Sequence, residues 1–204
     1  ATATTELDAT QTLVSGTYYA SQTINNCEST TRTAIEVTIF DTPAPTATNQ
    51  EFCISEGKTV GDLVANGTDV KWYASATTTT ELDATDLLVS GTYYASQTIN
   101  GCESTTRTAI EVTIFDTPEP TADNQNYCIS EAKTVGDLIV VGTDVKWYNT
   151  ATSTMHLDVT DLLVSGTYYA TQTINGCEST TRTAIDVTIS DTPAPTATNQ
   201  EFCI

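Results

Sequence analysis

Histidine, methionine and positive charge are nearly missing from this chain. It has one histidine (His156), one methionine, and 7 Lys and Arg against 26 Asp and Glu, a formal net charge of −19 over 204 residues. The basic residues Arg32, Lys58, Lys71, Arg107, Lys133, Lys146 and Arg182 come singly. Nucleic-acid binding needs clustered Lys and Arg, so it is excluded, and anionic lipid headgroups would repel the chain. Ser/His/Asp or Cys/His catalysis would have to use His156, whose counterparts one and two periods earlier are Glu81 and Glu6. The chain therefore reads as non-catalytic. No apolar run approaches the ~20 residues of a membrane-spanning helix, so membrane insertion is not expected. No Cys-x-x-Cys pair occurs among the 6 cysteines, which argues against zinc and thioredoxin-type chemistry and for structural disulfides in an oxidising compartment. No phosphate-cradling Gly-rich loop is present, and no cofactor is expected. The acidity has two readings, solubility with mutual repulsion between copies or Ca2+ binding. Glu81, Asp83 and Asp86 lie close in sequence but lack EF-hand spacing.

What is abundant is threonine, 45 residues, and repetition. Cys27, Cys102 and Cys177 recur every 75 residues, as do Cys53, Cys128 and Cys203, and as do Trp72 and Trp147. Residues 1–40 match residues 76–115 at all but four of 40 positions. Such a period marks a tandem array. The chain divides into the back part of one repeat (1–40), a complete repeat (51–115), a second complete repeat (126–190) and the start of another (191–204). The Pro-rich stretches 41–50 and 116–125, with their counterpart opening at 191, are expected to be stiff linkers. The chain starts and stops inside a repeat, and a longer parent polypeptide is expected.

Within each repeat the hydrophobic period is two. Ile110, Val112 and Ile114 alternate with Glu111 and Thr113, and Val70 and Trp72 alternate with Lys71 and Tyr73. Asn100-Gly101 between two such runs is a hairpin signal, and Asn66-Gly67 marks a turn before the Trp strand. No helix is expected. Short strands with frequent turns fit an all-β sandwich. Tyr73 and Tyr94, out of phase with Trp72 and Tyr93, are expected at the surface, where they could stack on a sugar. Asn66-Gly67-Thr68 fits a glycan-acceptor pattern.

The run Leu87–Ala95 (LLVSGTYYA) resembles the corner leading into the sixth strand of immunoglobulin domains. The resemblance implies tandem immunoglobulin-like β-sandwich domains of about 75 residues. Trp72 and Trp147 would be the core tryptophans of the third strand, and Tyr93 and Tyr168 core tyrosines, with the Tyr93 hydroxyl bonded to nearby backbone. Ala95 and Ala65 stand where the usual inter-sheet cysteines would be. The motifs Phe52-Cys53, Trp72-Tyr73, Gly91-Thr92-Tyr93-Tyr94 and Asn100-Gly101-Cys102-Glu103-Ser104 further resemble immunoglobulin-like repeats of giant Bacteroidota surface proteins, many exported by the type IX secretion system. That resemblance implies an extracellular, cell-surface location and a stalk, spacer or adhesin-filament role.

The cysteines allow several pairings. Within a repeat, Cys53 would join Cys102 and Cys128 would join Cys177, leaving Cys27 and Cys203 to pair outside the chain. Across the Pro-rich stretches the pairs would be Cys27–Cys53, Cys102–Cys128 and Cys177–Cys203. The intra-repeat scheme is preferred, because the strand after Cys102 carries the chain away before the next repeat begins. A bond from a hairpin tip to a neighbouring domain stays open. Two functions fit: a structural segment whose partners are other copies of the repeat, or a module whose repeated weak sites bind glycans or a cell surface with avidity.

Overall fold

A computed structural model describes residues 5–202. Among them there is no α-helix, only strands and four single 3-10 turns, two of them Val60–Asp62 and Val135–Asp137. The partial repeat supplies β1 (Gly16–Ala20), β2 (Thr23–Ile24), β3 (Cys27–Glu28) and β4 (Thr33–Val37). The first complete repeat supplies β5 (Gln50–Cys53), β6 (Lys71–Tyr73), β7 (Gly91–Ser96), β8 (Thr98–Ile99), β9 (Cys102–Glu103) and β10 (Thr108–Phe115). The second supplies β11 (Gln125–Cys128), β12 (Lys146–Tyr148), β13 (Gly166–Thr171), β14 (Thr173–Ile174), β15 (Cys177–Glu178) and β16 (Thr183–Ser190). The described residues fall into two compact units, interleaved in sequence: residues 5–48, 64–82 and 93–110, and residues 49–63, 83–92 and 111–202.

The second unit holds the whole second repeat. Its sheet runs β11-β16-β13-β12. β11 lies parallel to β16, with Cys128 opposite Ser190, and the other pairs are antiparallel. In β16 the residues alternate: Ile185 and Val187 are buried while Asp186 and Thr188 face water, as a one-sided sheet requires. Trp147 is paired with Ala170 across β12 and β13. The missing side-chain bulk at Ala170, fully buried, leaves room for the indole. The opposing layer is irregular. It is made by the segments around Val135, Leu138 and Leu163, held by a bridge from Thr134 to Leu162 and a Leu163 N–H to Lys133 carbonyl bond of 2.9 Å. Each fully buried aliphatic here contributes roughly 1.5–3 kcal/mol. The same unit contains the parallel pair β5–β10, with Cys53 opposite Phe115.

In the first unit β6 pairs antiparallel with β7, again setting the indole (Trp72) against an alanine (Ala95). β1 pairs antiparallel with β4 in the register that β13 and β16 use. Ile35 of β4 is 49% exposed, whereas the matching Ile110 and Ile185 are 2% and 1% exposed.

The Pro-rich stretches differ from the expected linkers. Each is docked along the repeat that follows it. In the first unit Thr46 and Asn66 exchange backbone bonds of 3.1 and 2.7 Å, Gln97 donates to the Pro43 carbonyl at 2.8 Å, and the Thr108 hydroxyl donates to the Pro45 carbonyl. In the second unit Thr121 and Val141 exchange bonds, Gln172 donates to Pro118 at 2.9 Å, and Thr183 donates to Pro120. Proline lacks an N–H but keeps its carbonyl, so it can sit at a sheet edge and still accept.

Candidate functional site

The feature that sets this chain apart from a simple string of domains is the joint formed by β14 and β15 within the second unit. Asn175 (φ 51°) and Gly176 (φ 79°) both occupy the left-handed region. This is the type I′ geometry that two-residue hairpins need and that Asn-Gly supplies. The tight turn delivers Cys177 at its far side. The Thr117 hydroxyl, in the Asp-Thr-Pro segment, donates to the Cys177 carbonyl at 2.9 Å. Cys177 is 3% exposed and is disulfide-bonded to Cys53, with 5.3 Å between their Cα atoms. The bond spans 124 residues of sequence.

Neither expected cysteine pairing is formed. Cys27, Cys102 and Cys128 are free, and Cys203 lies outside the described residues. The reason is strand direction. Cys128 is level with Ser190, the last residue of β16, while Cys177 comes before β16 begins. Eight extended residues at about 3.3 Å each put the two cysteines some 25 Å apart, far beyond the ~7 Å a disulfide allows. The same register sets Cys53 level with Phe115 at the end of β10, whereas Cys102 precedes that strand. In the second repeat the first-strand cysteine and the hairpin cysteine thus lie at opposite ends. Within the second unit Cys177 is joined instead to Cys53. This is the hairpin-tip arrangement, and Cys102 and Cys128 are both free.

Beside the hairpin cysteine lies a charged network. Glu178 accepts from Lys146 (2.7 Å), Tyr148 (2.7 Å) and Thr171 (2.7 Å). Burial pushes the Glu178 carboxyl up, but these donors outweigh it and hold it at about 2. The Tyr148 phenol is raised by burial and by Glu178, so it stays protonated as a donor. Arg182 stacks over the Tyr148 ring, 3.7 Å from its centroid, and donates to the Thr150 and Ser153 carbonyls. In the first repeat Arg107 stacks over Tyr73 at 3.3 Å. The expectation of a surface Tyr73 is therefore corrected: it is 3% exposed, covered by Arg107 and bonded to Glu103 at 2.7 Å. Tyr94 is half-buried. A cation–π cap turns the outward face of the strand into a second small core.

Trp72, Trp147, Tyr93 and Tyr168 are all buried. The Tyr168 hydroxyl bonds both backbone groups of Val164, accepting from its N–H at 3.1 Å and donating to its carbonyl at 3.2 Å. Asn66 is exposed, and its counterpart is Val141, so the acceptor pattern is not repeated. His156 is exposed, with Nδ1 3.1 Å from the Leu157 carbonyl. Asp83 accepts from the Thr85 N–H and hydroxyl, which lower its pKa. Among the described residues no group of three or more His, Cys, Asp or Glu is placed to hold a metal, and no helix is long and apolar enough to cross a membrane. Thr117 and Glu178 went unrecognised as joint residues in the sequence. Their one signal is recurrence at the 75-residue period, as Thr42 and Glu103.

Residues 42–115 match the family model described as Ig-like domain, CHU_C associated. The match opens at Thr42, within the docked Pro-rich stretch. No curated protein matches the chain. Among solved structures it is similar to Sidekick-1 immunoglobulin domains 1–4, at 15% identity over 86% of this chain and 58% of that one, with a TM-score of 0.26. It is also similar to extracellular domains 3–5 of Drosophila OTK, at 12% identity over 86% of this chain and 71% of that one, with a TM-score of 0.30. The chain spans little more than half the Sidekick-1 structure. The complete repeats are immunoglobulin-like β-sandwich domains in tandem.

Proposed function

We propose that this chain is a non-catalytic structural segment of an extracellular surface protein, a stalk or adhesin filament in which immunoglobulin-like domains are added in line. The observation that carries the reading is the Cys53–Cys177 bond. It joins Cys53 of one copy to Cys177 of the next, so tension would cross from copy to copy through a covalent bolt. The Pro-rich stretch works in the same direction, since docking it on the repeat that follows shortens the free chain between copies. A disulfide suits an oxidising, extracellular setting, and the family match of residues 42–115 suits a Bacteroidota surface protein. The partners in this reading are further copies of the same repeat. Small-angle scattering tests it: the oxidised chain gives the profile of an extended particle, and a compact globular profile overturns the reading.

A second reading, a module binding glycans or a cell surface through repeated weak sites, is favoured by one observation. Leu87 and Val89 are 68% and 66% exposed, and their counterparts Leu162 and Val164 are 65% and 66% exposed. Such recurring apolar exposure would give each copy a weak contact, with strength from avidity. Replacing all four by Ser leaves surface adhesion unchanged if the structural reading holds.

A further inference from the structure

The two free cysteines of the complete repeats stand in the same places as the two that are bonded. Cys128 follows Cys53 by one 75-residue period, and Cys102 precedes Cys177 by one period. Their backbones match. Cys53 has φ −85° and ψ 142°, Cys128 has φ −87° and ψ 143°, and each immediately precedes a 3-10 turn. The turn before Cys102 uses Asn100 (φ 52°) and Gly101 (φ 76°), as Asn175 and Gly176 do. The Thr42 hydroxyl donates to the Cys102 carbonyl at 3.0 Å, reproducing the Thr117–Cys177 bond within its own unit. The hairpin cysteine is thus seated against the Asp-Thr-Pro segment whether or not a partner is present. In this register the cysteine that would face Cys102 belongs to the copy before, and the one that would face Cys128 to the copy after. Both positions fall beyond the complete repeats of these 204 residues.

We propose that Cys102 and Cys128 are each half of the Cys53–Cys177 type of bond, closed by an adjacent copy of the same repeat, so that an array carries an overlapping ladder of disulfides. Each bond spans 124 residues and a new one starts every 75, so neighbouring loops interlock. In sequence only 26 residues separate Cys177 from Cys203, the start of the next-but-one bond. A covalent route along the array therefore follows a small part of the chain, and unfolding of the domains cannot pay out their full length. Closure of each bond is a two-electron oxidation. Two thiols form one S–S bond and lose two protons and two electrons to a small-molecule disulfide, which is reduced to two thiols.

The test is the full chain with one extra copy of residues 116–190 inserted after Ser190, oxidised in a glutathione buffer and mapped by mass spectrometry without reduction. The expected result is one new disulfide, between Cys128 and the hairpin cysteine of the added copy, with Cys53–Cys177 retained as the report of correct folding. Cys128 left open to alkylation, or joined to Cys102, overturns the proposal. In the extended chain, Cys128→Ser frees the added hairpin thiol and leaves Cys53–Cys177 intact; an added hairpin that still forms a disulfide overturns it as well. The outcome is separable from the structural reading above. A compact scattering profile with the new bond present ends the stalk and leaves the ladder, and an extended profile with Cys128 free does the reverse.

Discussion

The hairpins at residues 98–107 and 173–182 have the same ten amino acids, Thr-Ile-Asn-Gly-Cys-Glu-Ser-Thr-Thr-Arg. Their turn dihedrals agree to within a few degrees. Yet Cys102 is a free, half-buried thiol and Cys177 is buried and bonded. The glutamates that follow differ too. Lys71 is divided between Glu103 at 3.7 Å and Glu81 at 4.0 Å, whereas Lys146 closes on Glu178 at 2.7 Å. One difference in the facing loop bears on the lysine. Glu81 is replaced by His156, which offers no competing carboxylate, so Lys146 commits to one partner. Local sequence shapes each hairpin, and what lies across from it decides its chemistry.

Removing the bond should abolish most of the contrast. Cys177→Ala, or a strong reductant, lowers stability by about 2–4 kcal/mol, read as a drop in the melting temperature, whereas Cys102→Ala shifts it by less than about 0.5 kcal/mol. Equal shifts for the two variants would mean that the hairpins are not distinguished by their surroundings. The glutamates come next. Glu178→Gln should cost about 1 kcal/mol, a charged hydrogen-bond value reduced for partial exposure, with Glu103→Gln costing less in the same urea titration. The pH dependence has a definite sign. The folded value of Glu178, about 2, lies below its ordinary 4.5, so its contribution is complete above about 4.5 and is lost as pH falls from there toward 2. The urea midpoint of the wild-type chain should fall over that range more steeply than that of Glu178→Gln, and parallel curves would refute the assignment. The smallest effect sharpens the comparison. His156→Glu restores a second carboxylate beside Lys146 and should move the Glu178 titration upward by NMR, with stability changed by about 0.5 kcal/mol or less.

Much of the fold is legible in the sequence. The alternation of Ile110, Val112 and Ile114 marks a one-sided strand and Asn100-Gly101 marks the I′ turn, because each is a local rule with a period or dihedral behind it; the corner tyrosine is what the resemblance of Leu87–Ala95 to immunoglobulin domains implies. Tyr73 was misplaced, since alternation only says that it lies opposite Trp72. Arg107, over 30 residues further on, then covers that face. Proline at Pro43 and Pro45 suggested a linker from the missing N–H. The carbonyls that dock it have no sequence signature, and their donors Gln97 and Thr108 come from distant strands.

The amino-acid order by itself determined the 75-residue repeat, its strands and turns, and the recurrence of two cysteines in it, because these follow from periodicity and backbone preference within short windows. Which cysteines join was decided only by the tertiary structure. Spacing along a chain measures loop length, whereas a disulfide depends on distance in space. The direction of the strands, set by sheet pairing, sends Cys128 and Cys177 of the second repeat apart and leaves Cys177 to join Cys53.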